Sequence, residues 1–237
     1  MADDRKSTIS SAATAEELRS FKAHQQVFPK TAAAPAKENI YGLRLADLEK
    51  ELVAMGQKPY RAKQLFNWLY RKKATSFAEM TDIGAELRSA LESKYAFYRP
   101  QPIIEEDSKD GTVKTLSRLY DGSDIESVLM RYAFGDSVCV TSEVGCNMGC
   151  RFCASGLIKK SRGLTAGEMV GQVLNMDETL RSKDPSARVS HVVVMGIGEP
   201  MDNYDNVMAF IRIINDPQGL GIGARHITVS SCGIVPG

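Results

Sequence analysis

The chain has 237 residues, 43% of them hydrophobic and 25% charged, with a formal net charge of +1. That balance suits a globular protein with one large domain, or one domain plus a small accessory module, and the near-neutral global charge does not reveal a nucleic-acid binder. No apolar run approaches the roughly 20 residues of a membrane-spanning helix, and Asp3 and Asp4 stand where a signal peptide would carry basic residues, so a cytoplasmic location is expected.

Residues 1–37 are rich in Ala, Ser, Thr and Lys, with Pro29 and Pro35 near their end. They predict a loosely ordered tail with a short helix around Ala15–Gln26. Beyond Ile40, the residues Leu45, Leu48, Leu52 and Val53 recur at helical spacing, and Gly56 can stop that helix. Pro59 suits the first turn of a second helix, whose Ala62, Leu65, Phe66 and Leu69 share one face. A third helix is expected over Gly84–Tyr95, where Leu87 and Leu91 fall together. Residues 38–100 therefore read as a helical accessory domain. Its middle helix lies in a run, 58–73, that carries Lys58, Arg61, Lys63, Arg71, Lys72 and Lys73 and no acidic residue. Such a run is either a solvated helix face or a phosphate-contacting surface.

From about residue 101 the pattern changes. Thr112–Tyr120 and Asp124–Met130 are β-prone and joined through Asp121-Gly122, a strong hairpin turn. A strand is expected at Ser137–Val144, followed by a helix at Thr165–Leu180, a strand at His191–Met195, a helix at Asn203–Asn215 and a strand at His226–Ser230. Alternation of this kind builds a parallel sheet with helices outside it, so the fold class is α/β, with a partial (β/α) barrel over 101–237. The last strand has no helix after it; the expectation is an uncovered sheet edge and a chain shortened at its C-terminus.

Cysteine placement carries the chemistry. Five cysteines stand at 139, 146, 150, 153 and 232, and Cys146, Cys150 and Cys153 form C-x3-C-x2-C in a loop directly after a strand. Thiolates are the usual ligands of iron–sulfur clusters, and three from one loop can hold three irons of a [4Fe–4S] cube while the fourth stays open. Gly145, Gly149 and Gly156 allow the backbone to fold tightly there. The rival is structural zinc, for which Cys139 or Cys232 could complete four ligands; inert buried thiols are the third reading. Spacing favours the cluster.

With Phe152 before its last cysteine, this loop resembles the signature of radical S-adenosylmethionine (SAM) enzymes. Further segments resemble one branch of that superfamily, the adenine-methylating enzymes of 23S ribosomal RNA: KPYRAKQLFNWLY, DGTVKTL, IESVLM, VCVTSEVGCNMGCRFCASG, VVVMGIGEPMDNYDNV and HITVSSCGIVP, in that order. The resemblance implies a [4Fe–4S] cluster on Cys146, Cys150 and Cys153, and SAM contacts from Gly198, Glu199 and Ser230. Without it, the glycines and Glu199 would read as a plain βα turn and Ser230 as an ordinary strand-end serine. It also implies Glu126 as general base, where the residues alone suggest an exposed strand glutamate. Cys139, otherwise a small buried hydrophobe, becomes the thiol that resolves a covalent protein–RNA intermediate by disulfide formation. Cys232 has no role in the family pattern and is expected in the core.

The implied reaction installs a methyl group on C2 of an adenosine in 23S rRNA, and in tRNA, through a methyl-cysteine carrier and a 5′-deoxyadenosyl radical. A relative that methylates C8 of the same adenine is the nearest alternative, and Pro200 after Glu199 resembles the C2 branch more. A zinc-stabilised, non-catalytic RNA-binding protein is the alternative from another class. The implied partners are a folded RNA and a one-electron donor such as flavodoxin or ferredoxin, with the enzyme a monomer. In the family pattern the methyl-carrying cysteine falls beyond Gly237, so this chain is expected to assemble its cluster but not to transfer methyl.

Overall fold

A computed structural model describes residues 37–234; the helix expected around Ala15–Gln26 lies outside them. The first strands, β1 (Glu38–Asn39) and β2 (Tyr95–Ala96), pair in parallel and close the helical part at its two ends. Between them lie α1 (Leu45–Ala54), α2 (Tyr60–Tyr70) and α3 (Ala85–Lys94). Their apolar stripes meet as the spacing predicts: Leu48 and Leu52, Leu65, Phe66 and Leu69, and Leu87 and Leu91 are all buried.

The remaining elements, in chain order, are β3 (Gln101–Asp107), β4 (Val113–Arg118), β5 (Asp124–Tyr132), β6 (Gly135–Cys139), β7 (Glu143–Val144), β8 (Arg162–Gly163), α4 (Ala166–Lys183), β9 (Val189–Val194), α5 (Tyr204–Asn215) and β10 (Ile227–Val229). Six of these strands form one sheet in the order β10-β9-β6-β5-β4-β3. Pairing is antiparallel from β3 to β6 and parallel from β6 through β9 to β10. The hairpin is thus not a separate appendage: it extends the parallel strands into a continuous open sheet, and the barrel is not closed. Strand β3 was not expected. Its sequence QPIIEED holds a proline and three acids, and every residue is exposed, as an edge strand tolerates and a periodicity search overlooks. The strand expected over Ser137–Val144 is regular only to Cys139; Val140, Ser142 and Glu143 still hydrogen-bond to Val193, Gly196 and Ile197 alongside β9, and Glu143–Val144 pairs as β7 with β8.

Helices α4 and α5 cover one face of the sheet. Ile125, Ser127 and Leu129 of β5 are buried, while Glu126, Val128 and Met130 point the other way and are half-buried. Gln172 of α4 fixes the chain just after β6: its Oε1 accepts from the Thr141 N–H at 2.9 Å and the Ser127 hydroxyl at 2.9 Å, and its Nε2 donates to the Thr141 carbonyl at 3.0 Å. The start of α4 carries a capping box between Thr165 and Glu168. Arg162 then grips Glu168 with both terminal nitrogens, at 2.9 and 2.7 Å, and reaches Asp121 in the hairpin turn at 2.6 Å.

Half of the basic run is consumed in internal contacts, two reaching beyond the helical part and one within it. Lys73 pairs with Asp177 of α4, Arg71 donates to the Pro217 carbonyl at 2.6 Å, and Arg61 to the Asp82 carbonyl at 3.1 Å. Lys58, Lys63 and Lys72 stay exposed, with Lys72 lying over the Trp68 ring at 3.4 Å. No described helix is long and apolar enough to cross a membrane.

Candidate active site

The C-terminal ends of the parallel strands β6, β9 and β10 emerge on the same side of the sheet, where open α/β sheets place their ligands. The segment after β6 is the cysteine loop. Gly145, at φ 76°, starts it, and a Cβ there would lie 2.4 Å from the Lys159 carbonyl, so only glycine lets the returning chain come so close. The Cys146 N–H donates to the Ile158 carbonyl at 2.8 Å and the Ser161 N–H to the Val144 carbonyl at 2.8 Å, closing the base of the loop. At its far end the Cys153 N–H donates to the Cys150 carbonyl at 3.1 Å. Cys146 and Cys150 are partly exposed and Cys153 fully so, and Phe152 is 93% exposed.

The segment after β9 is Gly196–Glu199. Gly198, at φ 108°, lies directly on Glu143: a Cβ there would be 2.5 Å from the Glu143 Cγ. Glu199 caps the short 3₁₀ turn Pro200–Asn203, accepting from the Met201 N–H at 2.9 Å, and its other oxygen accepts from the Cys232 N–H at 2.7 Å. Burial alone would push its carboxyl upward, but these backbone donors outweigh it and hold the group below the usual glutamate range. Asn203 adds a second tie, donating to the Ser142 carbonyl at 2.9 Å and the Leu164 carbonyl at 2.8 Å.

The segment after β10 is Ser230–Cys232. Ser230 is exposed at the strand end, its N–H donating to the Val194 carbonyl at 3.3 Å. Cys232 is not in the core: it is exposed. Glu199 captures its backbone N–H, and the residue lies exposed at the strand end with its thiol beside the Glu199 carboxylate. The Glu199 carboxylate beside it raises its pKa.

Cys139 and Glu126 stand further down the sheet, on the face that no helix covers. Cys139 pairs with Val128 and Val193, which fixes its side. Burial pushes its thiol up. Glu126 is not the exposed residue its strand position suggests: it is half-buried, and Lys114 reaches one of its oxygens at 2.8 Å. All five cysteines are free.

Three thiols around one closed loop fit a [4Fe–4S] cube, in which each thiolate meets a different iron and the sulfurs surround a volume. Sequence reading overlooked Glu143, Lys160 and Asn203, which tie the cysteine-loop region to the segment after β9, and Gln172, which holds Thr141. One signal was present: Glu143 is a charge inside the otherwise uncharged run SVCVTSEVGC, where burial demands a partner.

Comparison with known proteins matches residues 38–96 to the ribosomal RNA large subunit methyltransferase N-terminal domain and residues 141–237 to the radical SAM superfamily. A probable dual-specificity RNA methyltransferase RlmN of Exiguobacterium sibiricum is 54% identical over 84% of this chain and 56% of its own length. Its counterpart in Listeria monocytogenes serovar 1/2a is 52% identical over 84% of this chain and 54% of its own length. The crystal structure of a radical SAM methyltransferase from Sphaerobacter thermophilus superposes with a TM-score of 0.77 at 42% identity, covering 84% of this chain and 58% of that one. The chain spans about half the length of the curated relatives it matches. With both family models in order on one polypeptide, and a radical SAM methyltransferase of the same fold, the chain belongs to the RlmN-type family of radical SAM methyltransferases.

Proposed function

We propose that this chain serves the methylation of C2 of an adenosine in 23S rRNA, and in tRNA, by radical SAM chemistry. The observation that carries the reading is the meeting of three strand-end segments, the cysteine loop, Gly198-Glu199 and Ser230, at one end of the parallel strands. Cys146, Cys150 and Cys153 hold a [4Fe–4S] cluster. Gly198, Glu199 and Ser230 face the methionyl end of SAM, with the Glu199 carboxylate as the anion for its ammonium group. Bound together, cluster and SAM supply a one-electron cleavage that yields a 5′-deoxyadenosyl radical, which suits an aromatic C–H carbon that is no nucleophile for direct methyl transfer.

The protein's own residues position groups and move protons. Glu126 and Cys139 share the uncovered sheet face below the cysteine loop, so a base extruded from its stack can meet both. Glu126 takes the proton from the adenine carbon under substitution. Cys139 is the resolving thiol: its thiolate attacks the sulfur of the family's methyl-carrying cysteine, the S–S bond forms as the S–C bond to the base breaks, and the carbon keeps the electron pair and takes a proton to become the methyl group of the released base. Residues 38–100 act as an accessory domain, in which exposed Lys58, Lys63 and Lys72 offer phosphate contacts. A one-electron donor of the flavodoxin or ferredoxin kind completes the partners.

Anaerobic reconstitution followed by iron and sulfide analysis tests the cluster, and incubation with SAM and dithionite tests its chemistry. The expected products are methionine and 5′-deoxyadenosine. A protein that takes up zinc but no sulfide, and leaves SAM intact, would overturn the reading. Completed with the family's C-terminal part, the chain should install 2-methyladenosine in 23S rRNA that lacks the mark; 8-methyladenosine instead would move the activity to C8.

A further inference from the structure

Glu143 is a carboxylate with no exposed surface, and nothing in the proposed chemistry uses it. Its Oε1 meets the Lys160 ammonium at 2.5 Å, and its Oε2 accepts the backbone N–H of Glu199 at 3.1 Å. Lys160 is itself nearly buried and reaches further: Nζ lies 2.6 Å from the Asp202 carboxylate and 3.3 Å from the Asp202 carbonyl. The Lys160 backbone N–H donates to the Asn147 side chain at 3.1 Å, inside the cysteine loop itself. Two side chains therefore join the strand before the loop, the loop, its return and the segment that carries Glu199. Gly198 makes the contact possible, because any Cβ at that position would collide with Glu143.

Apolar side chains could hold these segments together at lower desolvation cost, since charges removed from water are favourable only with close, directional partners. What an ion pair adds is orientation. The Glu143 carboxylate fixes the Glu199 peptide through Oε2, and the Lys160 charge beside Oε1, an ion pair without hydrogen-bond geometry, offsets the buried negative charge. We propose that Glu143 and Lys160 are positioning residues that set Glu199 against the cysteine loop, and so determine how tightly SAM is held at the cluster. This rests on the proposed function.

The test uses the reconstituted chain and its E143Q, K160M and K160R variants, with K159M as a neighbouring-lysine control. Three quantities are read: iron and sulfide per chain, SAM affinity by equilibrium dialysis with labelled SAM, and the change that SAM makes in the electron paramagnetic resonance spectrum of the reduced cluster. E143Q keeps an acceptor for the Glu199 N–H but removes the charge, so it serves even where K160M folds poorly. E143Q and K160M should keep their iron yet bind SAM at least about ten-fold more weakly, as supporting residues around metal sites do, with the SAM-induced spectral change lost in proportion. K160R should recover part of the affinity, and K159M should match wild type. Loaded E143Q and K160M proteins that bind SAM as wild type does would overturn the proposal. Loss of iron from E143Q would also overturn it, by placing the pair's role in shaping the loop alone. A wild-type chain that takes neither cluster nor SAM would defeat the functional reading instead.

Discussion

Glu126 and Cys139 lie on the same face of adjacent antiparallel strands, Cys139 directly opposite Val128, two residues along from Glu126. The strands are locked at this level: the Thr141 hydroxyl donates to the Glu126 carbonyl at 2.6 Å. Only the Glu126 side chain is free to vary, and its tie to Lys114 is a partly exposed ion pair worth less than about 1 kcal/mol. Glu126→Ala should therefore leave the urea midpoint almost unchanged while, in a chain completed with the family's C-terminal part, removing the methyl mark from RNA of cells that carry the variant as their sole copy. A normal level of methylated adenosine in the nucleoside digest would end the assignment of Glu126 as base.

The cluster assignment separates the cysteines by position. Removing any of Cys146, Cys150 or Cys153 leaves two thiolates on the loop, too few for the cube. Cys150→Ala should lose most iron and sulfide after anaerobic reconstitution, whereas Cys139→Ala, whose thiol lies back along β6, should keep both. Equal iron in the two variants would contradict the placement.

Two glycines of the loop differ in a way that iron content can read. Gly145 and Gly149 both have left-handed backbones, at φ 76° and 65°, which costs another residue about 1–2 kcal/mol. A Cβ on Gly149 meets nothing within 4 Å, but one on Gly145 would strike the Lys159 carbonyl at the closed base of the loop. Gly149→Ala should load iron at a modest loss of stability, and Gly145→Ala should fail to load. Equal loading of both would show that the base of the loop opens without consequence.

The sequence exposed what is periodic or spaced and hid what is made by contact. Helices α1 to α5 and strands β4, β5, β9 and β10 follow from apolar spacing, and the cysteine loop from its motif. Strand β3 escaped because an edge strand exposed on both faces leaves no alternation to read. Cys232 was misplaced because a thiol after a strand looks apolar, while its exposed place at the strand end depends on Glu199, a residue 33 positions away. Glu143, Lys160 and Asn203 were invisible for the same reason: each matters through a partner distant in sequence.

Glu199 makes stability depend on pH. Its ionised form accepts the Met201 and Cys232 N–H groups, and its carboxyl lies below the ordinary value of 4.5. A lowered folded-state value contributes stability above the unfolded value and loses it as pH falls through the folded one. Glu199→Gln should therefore lower the urea midpoint at neutral pH, and the deficit should shrink on acidification below 4.5. A deficit that stays constant or grows as the solution is acidified would show that the carboxylate charge is not what the two N–H groups stabilise.

Thiol reactivity in cluster-free protein should rank the cysteines by surroundings. Alkylation needs the thiolate and an open approach, so exposure and pKa act together. Cys153 is exposed on the loop and should be modified first. Cys232 is also exposed, but the Glu199 carboxylate disfavours a second negative charge beside it and raises its pKa above 9.0, so it should lag. Cys139 is half-covered on the sheet, and burial raises its thiol from 9.0 as well, so it should be slowest. Iodoacetamide labelling followed by peptide mass spectrometry reads all three rates in one sample. Raising the pH toward and beyond 9.0 should speed Cys139 and Cys232 steadily, because each step increases their thiolate fraction. Glu199→Gln should bring Cys232 closer to Cys153 and leave Cys139 unchanged, since only Cys232 lies beside that carboxylate. Faster labelling of Cys139 than of Cys153 at neutral pH would mean that the sheet face around Cys139 is more open, and its thiol more acidic, than this packing allows.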